Sequence, residues 1–127
     1  MCNNSCKECP RKVFTSSVSI QIIDNVNTLV IDVPSQVFAN CQQGCLVITQ
    51  NIPDAATISM PVAISIGGET TTVYNVVSCD CNQVTAPMLR TRVRYPFKVS
   101  INGTIAVFKI LKNLCCANVN NLQTIGG

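Results

Sequence analysis

Histidine and tryptophan are both absent from this 127-residue chain, and only 12% of its residues are charged. Each gap removes a class of chemistry. Without imidazole there is no Ser-His or Cys-His nucleophile, no histidine general base and no mixed Cys/His metal site. With aromatics at 5%, base-stacking platforms and large interface anchors are poorly supplied. The acidic residues Glu8, Asp24, Asp32, Asp54, Glu69 and Asp80 are isolated, so no two form an acid/base dyad on one strand face. Gly67-Gly68 lacks the Lys-Ser/Thr of a phosphate loop. The apolar runs are too short for a membrane-spanning helix. No basic segment leading into an apolar stretch opens the chain, so a secretory leader is not expected. The expectation is a protein that is not an enzyme.

Cysteine, by contrast, is abundant. Nine are present, eight of them clustered as Cys6–Cys9, Cys41–Cys45, Cys79–Cys81 and Cys115–Cys116, with Cys2 left over. A chain of this length can bury about two-thirds of its unfolded surface, so the core does not need disulfides merely to exist. The sulfurs are left with cross-linking or thiolate-only metal binding.

Valine, isoleucine and threonine recur with period two, which predicts strands. Alternation marks strands over Val13–Ile23, Thr28–Val33, Leu46–Gln50, Ser59–Ile66, Thr70–Ser78, Leu89–Ile101 and Thr104–Leu114. Turns are expected at Asp24–Asn27 and Gly67–Glu69, and Asn102-Gly103 predicts a type I′ hairpin with φ > 0 at both residues. No segment carries a sustained helical stripe. The fold class is therefore all-β: a single antiparallel β-sandwich or barrel of about seven strands, with flexible N- and C-terminal arms. Residues 1–12 form a cysteine-containing arm, 13–117 the β-domain and 118–127 a tail.

If successive strands run antiparallel, connections alternate between the two ends of the domain. The N-terminal segment and the Pro34–Gly44 loop then share one end, which gathers Cys6, Cys9, Cys41 and Cys45. The Ser78–Met88 loop and the segment after Leu114 share the other, which gathers Cys79, Cys81, Cys115 and Cys116. The first group has tolerable spacing for a four-thiolate zinc site, so zinc is the one metal to consider. Adjacent Cys115 and Cys116 point to opposite faces of an extended backbone and suit two separate disulfides to the Cys79–Cys81 loop. The remaining alternative is that several are ordinary reduced thiols. Cys2, the odd one, is the natural candidate for a bond between chains.

Net charge is +3, a mild lean toward acidic partners. Arg90, Arg92 and Arg94 alternate on the expected strand 89–101 and, with Lys98, make a basic stripe. It reads either as a solvated face that discourages edge pairing or as a docking surface for an acidic protein. Nucleic acid is disfavoured, because no aromatics interleave with the cations. Lys7, Arg11 and Lys12 form a second basic patch on an arm expected to dock.

The runs Cys9-Pro10-Arg11-Lys12-Val13-Phe14, Asn40-Cys41-Gln42-Gln43-Gly44-Cys45-Leu46-Val47-Ile48, Arg90-Thr91-Arg92-Val93-Arg94-Tyr95 and Asn113-Leu114-Cys115-Cys116 carry a resemblance. Together they resemble small cysteine-containing β-proteins of clostridial-type bacteria and their phages. The resemblance implies a structural protein of a virion and carries over no functional residues. The leading expectation is a non-catalytic protein coating a large assembly, a phage head (capsid) decoration protein made in the host cytoplasm. Its partners would be the capsid shell or its own copies, many to a particle. A disulfide-cross-linked subunit of a spore coat, cell-surface layer or appendage is the alternative. A small zinc-binding interaction module is a third.

Overall fold

The computed structural model describes residues 12–53, 59–103 and 105–114, with only the backbone of 70 and 71. Eight strands form one mixed sheet: β1 (Lys12–Phe14), β2 (Ser17–Ile23), β3 (Val26–Val33), β4 (Gln43–Val47), β5 (Val62–Ile66), β6 (Glu69–Ser78), β7 (Arg94–Asn102) and β8 (Ile105–Ile110). Their order across the sheet is β1-β4-β7-β8-β6-β5-β3-β2, and the sheet curls into a half-barrel. A single 3₁₀ turn, Ala86–Met88, is the helical structure among the described residues.

Three hairpins supply six of the strands, and turn chemistry fixes each. Asp24 and Asn25 take φ of +50° and +66° between the paired Ile23 and Val26. Gly67 and Gly68 take +63° and +78° between Ile66 and Glu69. Positive φ at both central residues matches the right-handed twist of the flanking strands. The third hairpin forms where Asn102-Gly103 announces it, but one residue later. Asn102 is the last residue of β7 and pairs with Ile105, so Gly103, at φ +65°, is the first loop residue.

The expected all-antiparallel arrangement is corrected by the joints between hairpins. β3 runs parallel to β5, and β6 parallel to β8. The expected first strand over 13–23 is also two strands. β1 pairs in parallel with β4 at one edge of the sheet, and β2 pairs antiparallel with β3 at the other. The crossing from one edge to the other takes two residues, Thr15 and Ser16.

Hydrogen bonds explain why the chain can switch there. Thr15 N–H donates to Val47 O at 3.1 Å and Ser16 N–H to Asp32 O at 2.7 Å, so the backbone passes from β4 to β3 without an orphaned donor. The Thr15 hydroxyl donates to Gln50 Oε1 and accepts from Thr49 N–H at 3.0 Å. Thr15 O accepts from Thr49 Oγ1 and Gln50 Nε2. Thr15 is only 5% exposed, and this network satisfies a polar side chain that burial would otherwise penalise.

The core lies on the concave face. Leu29, Ile31 and Val33 of β3 meet Leu46, Ile64, Val76, Tyr95, Phe97, Val99, Phe108 and Ile110. Phe38 enters from the loop after β3 and stacks edge-on against Phe97 and Phe108, with centroids 6.1 and 5.1 Å away. Opposite this core, Asp32 accepts hydrogen bonds from Ser65 Oγ and Gly68 N–H, both at 2.7 Å, which pins the β5–β6 turn to β3.

Candidate interaction face and thiol turn

Register decides which side chains share the convex face. Val13 points to the core, so its neighbours Lys12 and Phe14 point outward. Lys12 stands beside Cys45 and Phe14 beside Val47. Cys45 and Val47 lie opposite Pro96 and Arg94, and Gln43 lies opposite Lys98. Lys98 in turn lies opposite Lys109 on β8. The β1-β4-β7-β8 half of the convex face therefore carries Lys12, Arg94, Lys98 and Lys109 with no acidic side chain among its described residues, while Asp32 lies on the same face at β3, engaged by Ser65 Oγ and Gly68 N–H. Phe14, 51% exposed, sits at its edge.

The expected arginine stripe is corrected in its first half. β7 begins only at Arg94, and Arg90 and Arg92 lie in the turn that precedes it. Arg92 adopts φ +72° while its N–H donates to Ile48 O, and a left-handed residue ends the pleat that would have aligned all three. Arg90, Arg92 and Arg94 are all exposed, but only Arg94 belongs to the convex face. Lys109 went unnoticed in the sequence, although alternation on both arms of the Asn102-Gly103 hairpin places it on the Lys98 side. Lys7 and Arg11 lie outside the described residues.

Of the nine cysteines, four fall within the described residues. Cys41 and Cys45 are disulfide-bonded. Cys45 is fully buried, and Cys41, at φ +67°, donates its N–H to Val99 O. A disulfide sulfur is not a thiolate, so the zinc site proposed for Cys6, Cys9, Cys41 and Cys45 would require both to be reduced first. No group of three or more metal-ligating side chains occurs among the described residues. Cys2, Cys6, Cys9, Cys115 and Cys116 lie outside them.

Cys79 and Cys81 are free and exposed. They occupy a miniature turn at the end of β6 in which Ser78 N–H donates to Asn82 O at 2.8 Å and Cys81 N–H to Ser78 O at 2.9 Å. Cys81 takes φ +63° to close it. Gln83 Nε2 then donates to the carbonyls of Val62, Val76 and Val84, clamping the base of the turn to the sheet. The Cys79 thiol donates to Leu111 O at 2.7 Å, because parallel pairing of β6 and β8 brings Ser78 opposite Ile110. Cys115 and Cys116, the disulfide partners expected for this loop, lie outside the described residues.

An apolar pocket of about 230 Å³ opens beside the aromatic cluster, between Phe38, Tyr74, Val99, Ile101 and Phe108. Tyr74 is the one ionisable side chain among its described lining residues. No family model, no curated protein and no solved structure matches this chain.

Proposed function

We propose that this chain is a non-catalytic structural protein that coats a large assembly in many copies, as a decoration protein does on a phage head. The observation that carries the reading is the convex face, where Lys12, Arg94, Lys98 and Lys109 share one side of the sheet beside half-exposed Phe14. Exposed ion pairs each contribute under about 1 kcal/mol, so several cations must act together against an acidic shell surface. Burying the exposed half of Phe14, on the order of 100 Å², adds about 2–3 kcal/mol. Such a contact is weak for one copy and effective for many.

A disulfide-cross-linked surface layer, such as a spore coat, is the second reading. The two exposed free thiols on one turn favour it.

Particle fractionation tests the leading reading. The chain should co-sediment with virions at low salt and be released as ionic strength rises. A Phe14→Asp, Lys109→Glu variant should stay in the supernatant. Absence of the wild-type chain from every virion fraction would overturn the proposal, and its recovery in spore or envelope fractions would favour the second reading.

A further inference from the structure

We propose that the Cys79-Asp80-Cys81 turn is the site at which two copies of this chain join covalently, through disulfides between the same turn on each copy. The inference rests on the many-copy part of the reading above and names the bond that would hold neighbours together.

Three observations lead to it. The four described cysteines are divided by oxidation state: Cys41 and Cys45 are bonded, whereas Cys79 and Cys81 are free and exposed. Whatever oxidises the first pair has easy access to the second. A disulfide also needs the two Cα atoms within about 4.4–6.8 Å. Two folded chains can approach that closely where the backbone lies at the surface, as at this turn beyond the end of β6, whose residues 79–83 are all exposed. Finally, the turn is held by its own backbone bonds and by the Gln83 clamp, so little conformational entropy is lost when it meets a partner.

Charge makes a second copy the fitting partner. Asp80 stands between the two thiols, and Lys112 follows Leu111, whose carbonyl receives the Cys79 thiol. Both are exposed. A twofold axis through the turn can set each Asp80 against the other copy's Lys112, and in such an isologous contact Cys79 meets Cys81 reciprocally. Cys81 is the first to react. Its thiol has no hydrogen-bond partner among the described residues, whereas that of Cys79 is engaged at 2.7 Å.

The chemistry balances with a small-molecule disulfide as oxidant, such as oxidised glutathione. The Cys81 thiolate of one chain attacks it, forming a mixed disulfide and expelling one small thiolate. The Cys79 thiolate of the second chain then attacks the Cys81 sulfur and expels the other. Two protein thiols are oxidised to one disulfide, and one small-molecule disulfide is reduced to two thiols, which take up the two released protons.

The full chain is incubated with oxidised glutathione, its remaining thiols are alkylated, and the products are separated on a non-reducing gel and mapped by peptide mass spectrometry. Wild type should give a reducible species of twice the 13.7 kDa chain mass, with linked peptides that both contain Cys79 or Cys81. Cys81→Ser should slow its formation, and a Cys79→Ser, Cys81→Ser variant should lose it while keeping the thermal midpoint of the wild type. A dimer that persists in the double variant would overturn the proposal. So would Cys79 and Cys81 mapped to Cys115 or Cys116 of the same chain, or left as free thiols. Virion co-sedimentation under reducing conditions is read separately, so failure of the cross-link and failure of the coat reading give different results.

Discussion

Replacing Thr15 by valine should destabilise the domain by about 1–2 kcal/mol, because the hydroxyl at this position holds the crossing between the two edges of the sheet. Valine keeps the shape, so no cavity opens and the change is one of polarity alone. Three hydroxyl contacts disappear: the bond given to Gln50 Oε1, the one received from Thr49 N–H at 3.0 Å and a longer one shared with Thr49 Oγ1 at 3.4 Å. Each is worth about 0.5–1.5 kcal/mol net, and because Thr49 is exposed, water partly restores its donor. The backbone bonds to Val47 O and from Gln50 Nε2 remain, so the switch weakens without dissolving. Serine makes the opposite trade. It keeps the hydroxyl bonds and gives up one methyl group, at about 0.8 kcal/mol. Urea unfolding followed by far-ultraviolet circular dichroism should rank wild type above Thr15→Ser and Thr15→Ser above Thr15→Val, at unchanged slope. Thr15→Val as stable as wild type, or more stable than Thr15→Ser, would refute the view that this hydroxyl secures the crossing. The consequence reaches function through β1, which carries Lys12 and Phe14 onto the convex face.

Three further outcomes follow from the packing. Gly67→Ala should cost about 2 kcal/mol or more in thermal melts, since φ is +63° and the added Cβ would lie 3.1 Å from Ser35 Cβ. Gly68→Ala meets nothing within 4 Å at φ +78° and should cost only about 1 kcal/mol; equal losses at the two positions would refute the Ser35 contact. Asp32→Ala should cost about 1.5–3 kcal/mol, because Ser65 is 1% exposed and loses its acceptor, while Asp32→Asn keeps one and should lose less in the same urea titration. Phe108→Ala should cost about 3–5 kcal/mol, since the ring packs on Phe38, Tyr74 and Phe97, and a loss below 1 kcal/mol would show that this cluster is not a core.

What the sequence disclosed about the fold was local. Asp24-Asn25 and Gly67-Gly68 sit at their turns because those residues tolerate φ > 0 more readily than others do. Period-two alternation located most of the strands, since a half-buried pleat needs it whatever the partner is. The partners themselves were hidden. Nothing in Val26–Val33 or Val62–Ile66 distinguishes a strand that will pair in parallel from one that will pair antiparallel, because both bury the same alternate side chains. The split at Thr15–Ser16 was hidden for the same reason. Apolar and polar residues continue through it, and only the two distant strands that capture the halves make it a switch.

The candidate sites show how a wrong pairing rule can still group residues well. Antiparallel alternation placed the N-terminal segment with the loop before β4, and the loop after β6 with the segment after β8. The structure brings the starts of β1 and β4 together, at Lys12 and Cys45, and the ends of β6 and β8 together, at Ser78 and Ile110, through parallel pairs instead. Either rule leaves these strand ends as neighbours, because β1, β4, β6 and β8 run in one direction in both. Chemistry is less forgiving than placement. Loop-to-loop disulfides from Cys79 and Cys81 depend on a side-chain geometry that strand direction does not determine; both thiols are free and exposed at this turn, and the expected partners Cys115 and Cys116 lie outside the described residues. The basic face behaves the same way. A hairpin loop at Asn102-Gly103 would already put Lys98 and Lys109 on one side. The observed loop, one residue later, sets them directly opposite each other and so concentrates charge at the centre of the proposed docking face.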